Sequence, residues 1–163
     1  MDVNQFLELF NPLPGSHYLQ VTTSPDETSK ALNDMIKSVD GEFSMHIFTD
    51  EDIDYSAQYP DVNIKCINNF KELFRALPRS NDIVVIKDVF DKHQNKDKLL
   101  KVTYASLANT AEIVIIEKKG VMDVEKIKQT LEEYEFRAAN NIDILEGYDL
   151  VIAKKMHMWG NGL

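Results

Sequence analysis

The sequence predicts an α/β fold: a doubly wound, mostly parallel seven-stranded sheet with a C-terminal antiparallel hairpin. Three observations predict it. The runs Ile83-Val84-Val85-Ile86 and Ile113-Val114-Ile115-Ile116 are continuous and β-branched, the mark of strands buried on both faces. Segments with apolar residues at helical spacing alternate with such runs along the chain. That alternation requires right-handed crossovers, and hence a parallel sheet covered on both faces. The 163 residues are enough for one such domain, with no internal repeat. Within this single domain, residues 1–15 form an N-terminal helix and linker, and 156–163 a C-terminal tail.

Each element has its own signal. Val3, Phe6, Leu7 and Phe10 lie at helical spacing, ended by Asn11-Pro12-Leu13-Pro14-Gly15. His17 to Thr23 is the first strand. Ala31, Leu32, Met35, Ile36 and Val39 give the next helix an apolar stripe. Ser24 suits its N-cap, Pro25 its first helical position, and Glu27 stands three after the cap. Asp40-Gly41 stops it. Phe43 to Phe48 and Val62 to Ile67 are the second and third strands, joined through the acid-rich Asp50-Glu51-Asp52-Ile53-Asp54. Phe70, Leu73, Phe74 and Leu77 mark a helix ending near Pro78. The fourth strand, Ile83 to Ile86, follows. Leu99, Leu100, Thr103, Tyr104 and Leu107 give a helix before the fifth, Ile113 to Ile116. Val124, Ile127, Leu131 and Tyr134 form the last helix. Asn141 to Leu145 and Tyr148 to Ala153 are expected to pair as a hairpin about a tight turn at Glu146-Gly147.

Charge narrows the function classes. The net charge is −9, and it is unevenly spread. Residues 1–64 carry twelve acids and two bases, −10 in net, whereas the remainder carries fifteen acids and sixteen bases, +1 in net. Such an acidic half repels a phosphate backbone, so nucleic-acid binding is not expected. It is compatible with a basic protein partner. No apolar run approaches the roughly 20 residues that span a bilayer. Met1-Asp2-Val3-Asn4 has no basic n-region, so no secretory signal and no membrane association are expected. The single cysteine, Cys66, falls in an apolar strand pattern and is expected to be inert core. With no disulfide framework, a cytoplasmic setting is the simplest expectation.

The second half resembles class I S-adenosylmethionine-dependent methyltransferases. Asn81-Asp82-Ile83-Val84-Val85-Ile86-Lys87-Asp88-Val89-Phe90 resembles that family's fourth strand and the acidic or amide position closing it. Leu99 to Leu107, then Glu112-Ile113-Val114-Ile115-Ile116-Glu117, resembles its fourth helix and fifth strand. Leu131-Glu132-Glu133-Tyr134-Glu135-Phe136 resembles the helix end before the sixth strand, and Leu150-Val151-Ile152-Ala153-Lys154-Lys155 the last strand. The resemblance implies a methyltransferase-like fold. Three positions depart from the family pattern. The glycine-rich loop after the first strand is Thr22-Thr23-Ser24-Pro25-Asp26-Glu27, without a glycine. Ala108-Asn109-Thr110-Ala111 replaces a proline-glycine turn, and Glu135 a glycine at the last helix's end. Branched Thr22 and Thr23 and amide-less Pro25 replace a backbone that glycine would let approach a cofactor.

The resemblance also implies site residues. Thr22 and Thr23 occupy the cofactor loop. Asp50 or Glu51, after the second strand, matches the acid that binds ribose hydroxyls, or is a solvated loop. Asn68 and Asn69 stand where adenine is contacted, or cap a helix. Asp88 closes the fourth strand, on the side where open α/β sheets bind ligands. Asp91 and His93 follow it as a candidate general-base pair, or as a strand-end cap and an exposed histidine. His17 and His46 read as partly buried, hydrogen-bonded strand residues. No metal spacing occurs among the four histidines. The tail Met156-His157-Met158-Trp159-Gly160-Asn161-Gly162-Leu163 holds soft ligands, but serves equally as a docked extension or a homodimer contact.

These readings favour a methyltransferase-fold protein with a degenerate cofactor site: a non-catalytic binding or interaction module without a cofactor. The alternative is a divergent active methyltransferase of unknown substrate, using S-adenosylmethionine. A weaker third reading is a domain binding another small ligand at the same strand ends.

Overall fold

The computed structural model describes residues 2–156. In chain order the elements are α1 (Asn4–Leu7), β1 (His17–Thr22), α2 (Glu27–Lys37), β2 (Glu42–Phe48), β3 (Asn63–Ile67), β4 (Asn81–Lys87), α3 (Lys96–Ser106), β5 (Leu107–Lys118), α4 (Val124–Glu133), β6 (Phe136–Asn141) and β7 (Tyr148–Lys155). Among the described residues, seven strands form one sheet in the order β3-β2-β1-β4-β5-β7-β6. Only β7 runs against its neighbours. This is the doubly wound, mostly parallel sheet that the sequence predicts. The two β-branched runs pair centrally, with Val84 beside Ile113 and Ile86 beside Ile115. Seven of their eight side chains are fully buried, and Ile83 is 4% exposed.

The period of two along each strand divides the core between the sheet's faces. On one face Val21, Val84, Ile86, Ile113 and Ile115 meet Leu99 and Leu100 of α3, Leu131 of α4, and Phe74. On the other, Tyr18, Met45, Ile47, Val85 and Ile116 meet Phe6 of α1, Leu32 and Ile36 of α2, and Leu145.

The structure corrects four local expectations. The helix over Phe70 to Leu77 does not form. The carbonyls of Phe70, Lys71 and Glu72, which a helix would use internally, accept bonds from Gln94 N–H, Asn95 Nδ2 and His93 Nε2. The apolar residues still pack, with Phe74 buried and Phe70 and Leu73 beside it. Second, α2 is capped by Asp26, not Ser24. Asp26 Oδ1 accepts the Thr28 and Ser29 N–H groups, and Ser29 Oγ accepts the Asp26 N–H. A carboxylate is the stronger acceptor at a positive helix end. Third, the hairpin pairs β6 with β7 across residues 142–147, rather than across a two-residue turn. Leu145 is drawn into the α1–α2 face of the core, which removes its segment from the ladder. Fourth, Cys66 is exposed, because β3 is an edge strand. Met156 is 42% exposed, and the expectations for the rest of the tail, Trp159 included, lie outside the described residues.

Two of the three glycine departures keep a glycine backbone. Glu135 has φ 73°, and Thr110 has φ 69° beside the bulge where β5 meets β4. Both lie in the left-handed region that costs a branched or Cβ-bearing residue energy. Residues 22–26 differ, for none of them has a positive φ. The loop after β1 therefore uses no left-handed residue.

Candidate functional site

The chain leaves β1 toward β2 and β3 on one side, and leaves β4 toward β5 on the other. The reversal between β1 and β4 is the topological switch point, beyond whose carboxyl ends open α/β sheets bind ligands. The parallel strands bring Thr22 and Thr23, Asp50 and Glu51, Asn68 and Asn69, and Asp88 to this one end of the sheet.

A lysine lies at the switch point. Lys87, the last residue of β4, has a side chain 2% exposed. Its Nζ is 2.8 Å from Asp26 Oδ2 and 2.8 Å from Asp88 Oδ2. It also lies 4.4 Å from the centre of the Tyr148 ring, a cation–π contact from the start of β7. One ammonium thus joins the β1–α2 connection, the end of β4 and the start of β7. Burial disfavours its charge, but the two carboxylates outweigh burial and raise its pKa above the ordinary lysine range. Burial likewise works against Asp26 as an anion. Its bonds from Lys87 and Thr28 prevail and hold its carboxyl below the usual carboxylate range.

The network continues inward. Asp26 Oδ1 accepts from Thr28 Oγ1, which in turn accepts from Gln20 Nε2 at 3.0 Å. Ser29 Oγ donates to Gln20 Oε1. Gln20, Thr28 and Ser29 are completely buried. A glutamine in the middle of a buried strand would be costly unpaired; here both ends of its amide are satisfied. Thr22 is buried, and its hydroxyl donates to the Ser24 carbonyl at 3.3 Å. The loop that lacks glycine is therefore pinned by its own side chains from Gln20 to Asp88.

Asp50 and Glu51 are exposed after β2, with the Glu51 N–H bonded to Thr49 Oγ1. Asn68 and Asn69 are exposed; Asn69 Oδ1 accepts the Lys71 and Glu72 N–H groups, the cap of a short turn. Asp88 has φ 60° and is bound to Lys87. His93 is 1% exposed, unlike the exposed histidine the sequence allows. Its Nδ1 accepts the Asn95 N–H, so its Nε2 carries the proton and donates to the Glu72 carbonyl. Both ring nitrogens are thus bonded to backbone rather than to Asp91, whose own N–H donates to Glu117 Oε2. His17 is half exposed, 3.6 Å from Glu42. His46 is buried with its Nδ1 unpartnered, not hydrogen-bonded there as the sequence suggests.

Sequence reasoning missed Lys87, Asp26, Gln20, Tyr148 and Glu117. Lys87 and Gln20 had a signal, since each is a polar residue at or inside an apolar strand. Glu117, next to last in β5, is a buried carboxyl; burial, then the charges of Asp88 and Asp91, push its pKa up. Among the described residues no cluster of three metal-ligating side chains forms, and no helix is long and apolar enough to cross a membrane.

The fold is that of class I S-adenosylmethionine-dependent methyltransferases. No family model and no curated protein sequence matches the chain. Solved structures do. A methyltransferase of this kind from Aquifex aeolicus superposes with a TM-score of 0.74 over 95% of this chain and 90% of its own, at 17% identity. A TehB-like one from Corynebacterium glutamicum gives 0.68 over 94% and 86%, at 12% identity. Phosphoethanolamine N-methyltransferase 2 of Haemonchus contortus, in complex with S-adenosylmethionine, gives 0.71 at 9% identity; this chain spans 52% of its length. Identities this low establish architecture and not activity.

Proposed function

We propose that this protein is a non-catalytic binding module built on a methyltransferase scaffold, with its cofactor crevice closed by its own side chains. The observation that carries the reading is the Lys87 ammonium buried between Asp26, Asp88 and Tyr148. It spans the switch point, where a ligand would sit between the β1 and β4 connections. S-adenosylmethionine does not fit the residues present. The helix end that would face it is capped by Asp26, and the loop backbone lacks the positive φ of a glycine turn. Admitting the cofactor would require breaking a buried charge cluster, a cost of several kcal/mol.

One observation favours the second reading, a divergent active methyltransferase. Asp50 and Glu51 are exposed after β2 and free to meet ribose hydroxyls. Calorimetric titration with S-adenosylmethionine and S-adenosylhomocysteine separates the two. The proposal expects no saturable heat up to millimolar ligand. A dissociation constant in the low micromolar range, about −8 kcal/mol, would overturn it in favour of the second reading. Asp50→Ala should then weaken binding by about 1–3 kcal/mol, through loss of a charged acceptor.

A further inference from the structure

We propose that the outer edge of β3 docks an extended, basic segment of another protein, which joins the sheet as an added strand. The inference rests on the non-catalytic reading above and names the partner such a module would take. Among the described residues, β3 pairs with β2 alone. The Ile67 carbonyl accepts the Thr49 N–H at 2.8 Å, so Ile67 faces the β2 side. Successive residues alternate, so Lys65 and Asn63 face that side too. The backbone groups of Ile64 and Cys66 turn outward. Among the described residues no backbone hydrogen bond is made on that outer side. The flanking connections, residues 49–62 and 68–80, hold no helix to cover it, and the Cys66 side chain is exposed. Unpaired, regular edges of this kind template strand addition.

The opposite edge is unsuited to it. β6 shifts register between Arg137 and Asn140, and Ala138 there has φ 56°. A bulge of this kind twists an edge away from further pairing. One edge of the sheet is therefore blunted and the other left regular.

Charge chooses the occupant. The connection from β2 to β3 carries Asp50, Glu51, Asp52, Asp54 and Asp61, with no lysine or arginine. Among the described residues, Asp61 alone of these makes an ion pair, with Lys37. Asp50, Glu51, Asp52 and Asp54 follow the carboxyl end of β2, beside that end of the edge, and Asp61, paired with Lys37, precedes its start. A second copy of this chain fits badly. Antiparallel self-pairing about the middle of β3 would set Lys65 opposite Lys65 and bring two acidic connections together. A strand with basic ends and an uncharged centre meets both conditions.

The test uses the full chain and a fluorescent, end-capped peptide, Lys-Lys-Val-Thr-Val-Thr-Lys-Lys. Saturable binding is expected by anisotropy. N-methylating either the valines or the threonines, but not both sets alike, should weaken it by about tenfold or more, because only one set of amides faces β3. Replacing the lysines with glutamates should abolish it. Cys66→Pro removes an outward edge N–H, a position where proline is tolerated, and should weaken binding without lowering the melting temperature. Equal binding of both N-methylated peptides would mean charge adherence alone and would overturn the proposal. So would an absence of saturable binding, or a wild-type dimer in light scattering that Cys66→Pro turns into a monomer. Each of these results stands apart from the cofactor titration, which alone decides whether the crevice is closed.

Discussion

Lys87 is almost wholly removed from water, and two carboxylates and an aromatic ring compensate its charge. Removing the ammonium while keeping the stem, as in Lys87→Met, leaves Asp26 and Asp88 facing one another. We expect a loss of about 3–5 kcal/mol in urea unfolding, the cost of breaking a buried pair from one side. Unchanged stability would mean that the cluster holds nothing together. His46 gives a pH signature. Burial, and then the nearby charge of Lys65, lowers its pKa from 6.5 to about 4. The folded state therefore resists a proton that the unfolded state accepts. Its contribution is fully present above pH 6.5 and is lost as pH falls through about 4, by up to about 3 kcal/mol in all. The urea midpoint should fall between pH 7 and 5, and His46→Leu should flatten that slope. At this scale the sequence was only partly legible. The positions of Asp88 and Asp91 could be read from the strand they follow, but their partners could not. Two of the three contacts of Lys87, Asp26 and Tyr148, lie 61 positions before it and 61 after it, which no local pattern reports.

At the scale of elements, the two caps of α2 differ in a measurable way. Asp26→Ala removes the acceptor for the Thr28 and Ser29 amides as well as a Lys87 partner, so it should cost at least about 2 kcal/mol. Ser24→Ala removes no cap and should be nearly neutral. Equal losses would restore Ser24 as the cap. The end of α4 offers the opposite sign. Glu135 holds φ 73°, and its ion pair with Arg137 is exposed and weak. Glu135→Gly should raise stability by about 1 kcal/mol in thermal unfolding; a fall would show that the side chain matters more than the backbone strain. Strands with continuous β-branched runs were legible because burial on both faces leaves no other pattern. The segment after β3 was not. Its apolar spacing fits a helix, yet residues 93–95 take its carbonyls, and that competition is tertiary. The tight hairpin turn failed for a similar reason, since Leu145 is claimed by the core.

At the scale of the whole molecule, the chain shares the methyltransferase fold, with a mostly parallel sheet and an antiparallel β7, and the proposal concerns only its ligand end. Strand order follows from the alternation of apolar runs, so it could be read from the chain. The side-chain cluster at the ligand end left only partial signs, a missing glycine and the polar Lys87 and Gln20 in apolar strands, because its atoms converge from β1, α2, β4 and β7. If the crevice is closed as proposed, Lys87 occupies it and is not displaced by the cofactor. The most direct measurement is the nitrogen-15 resonance of its ammonium group, assigned by Lys87→Met and followed as S-adenosylmethionine is added. A closed crevice predicts a slowly exchanging ammonium signal, visible because its protons are bonded and buried, that stays in place up to millimolar cofactor. A signal that shifts and saturates at micromolar cofactor would show the lysine yielding its place, and would mean that the crevice is open.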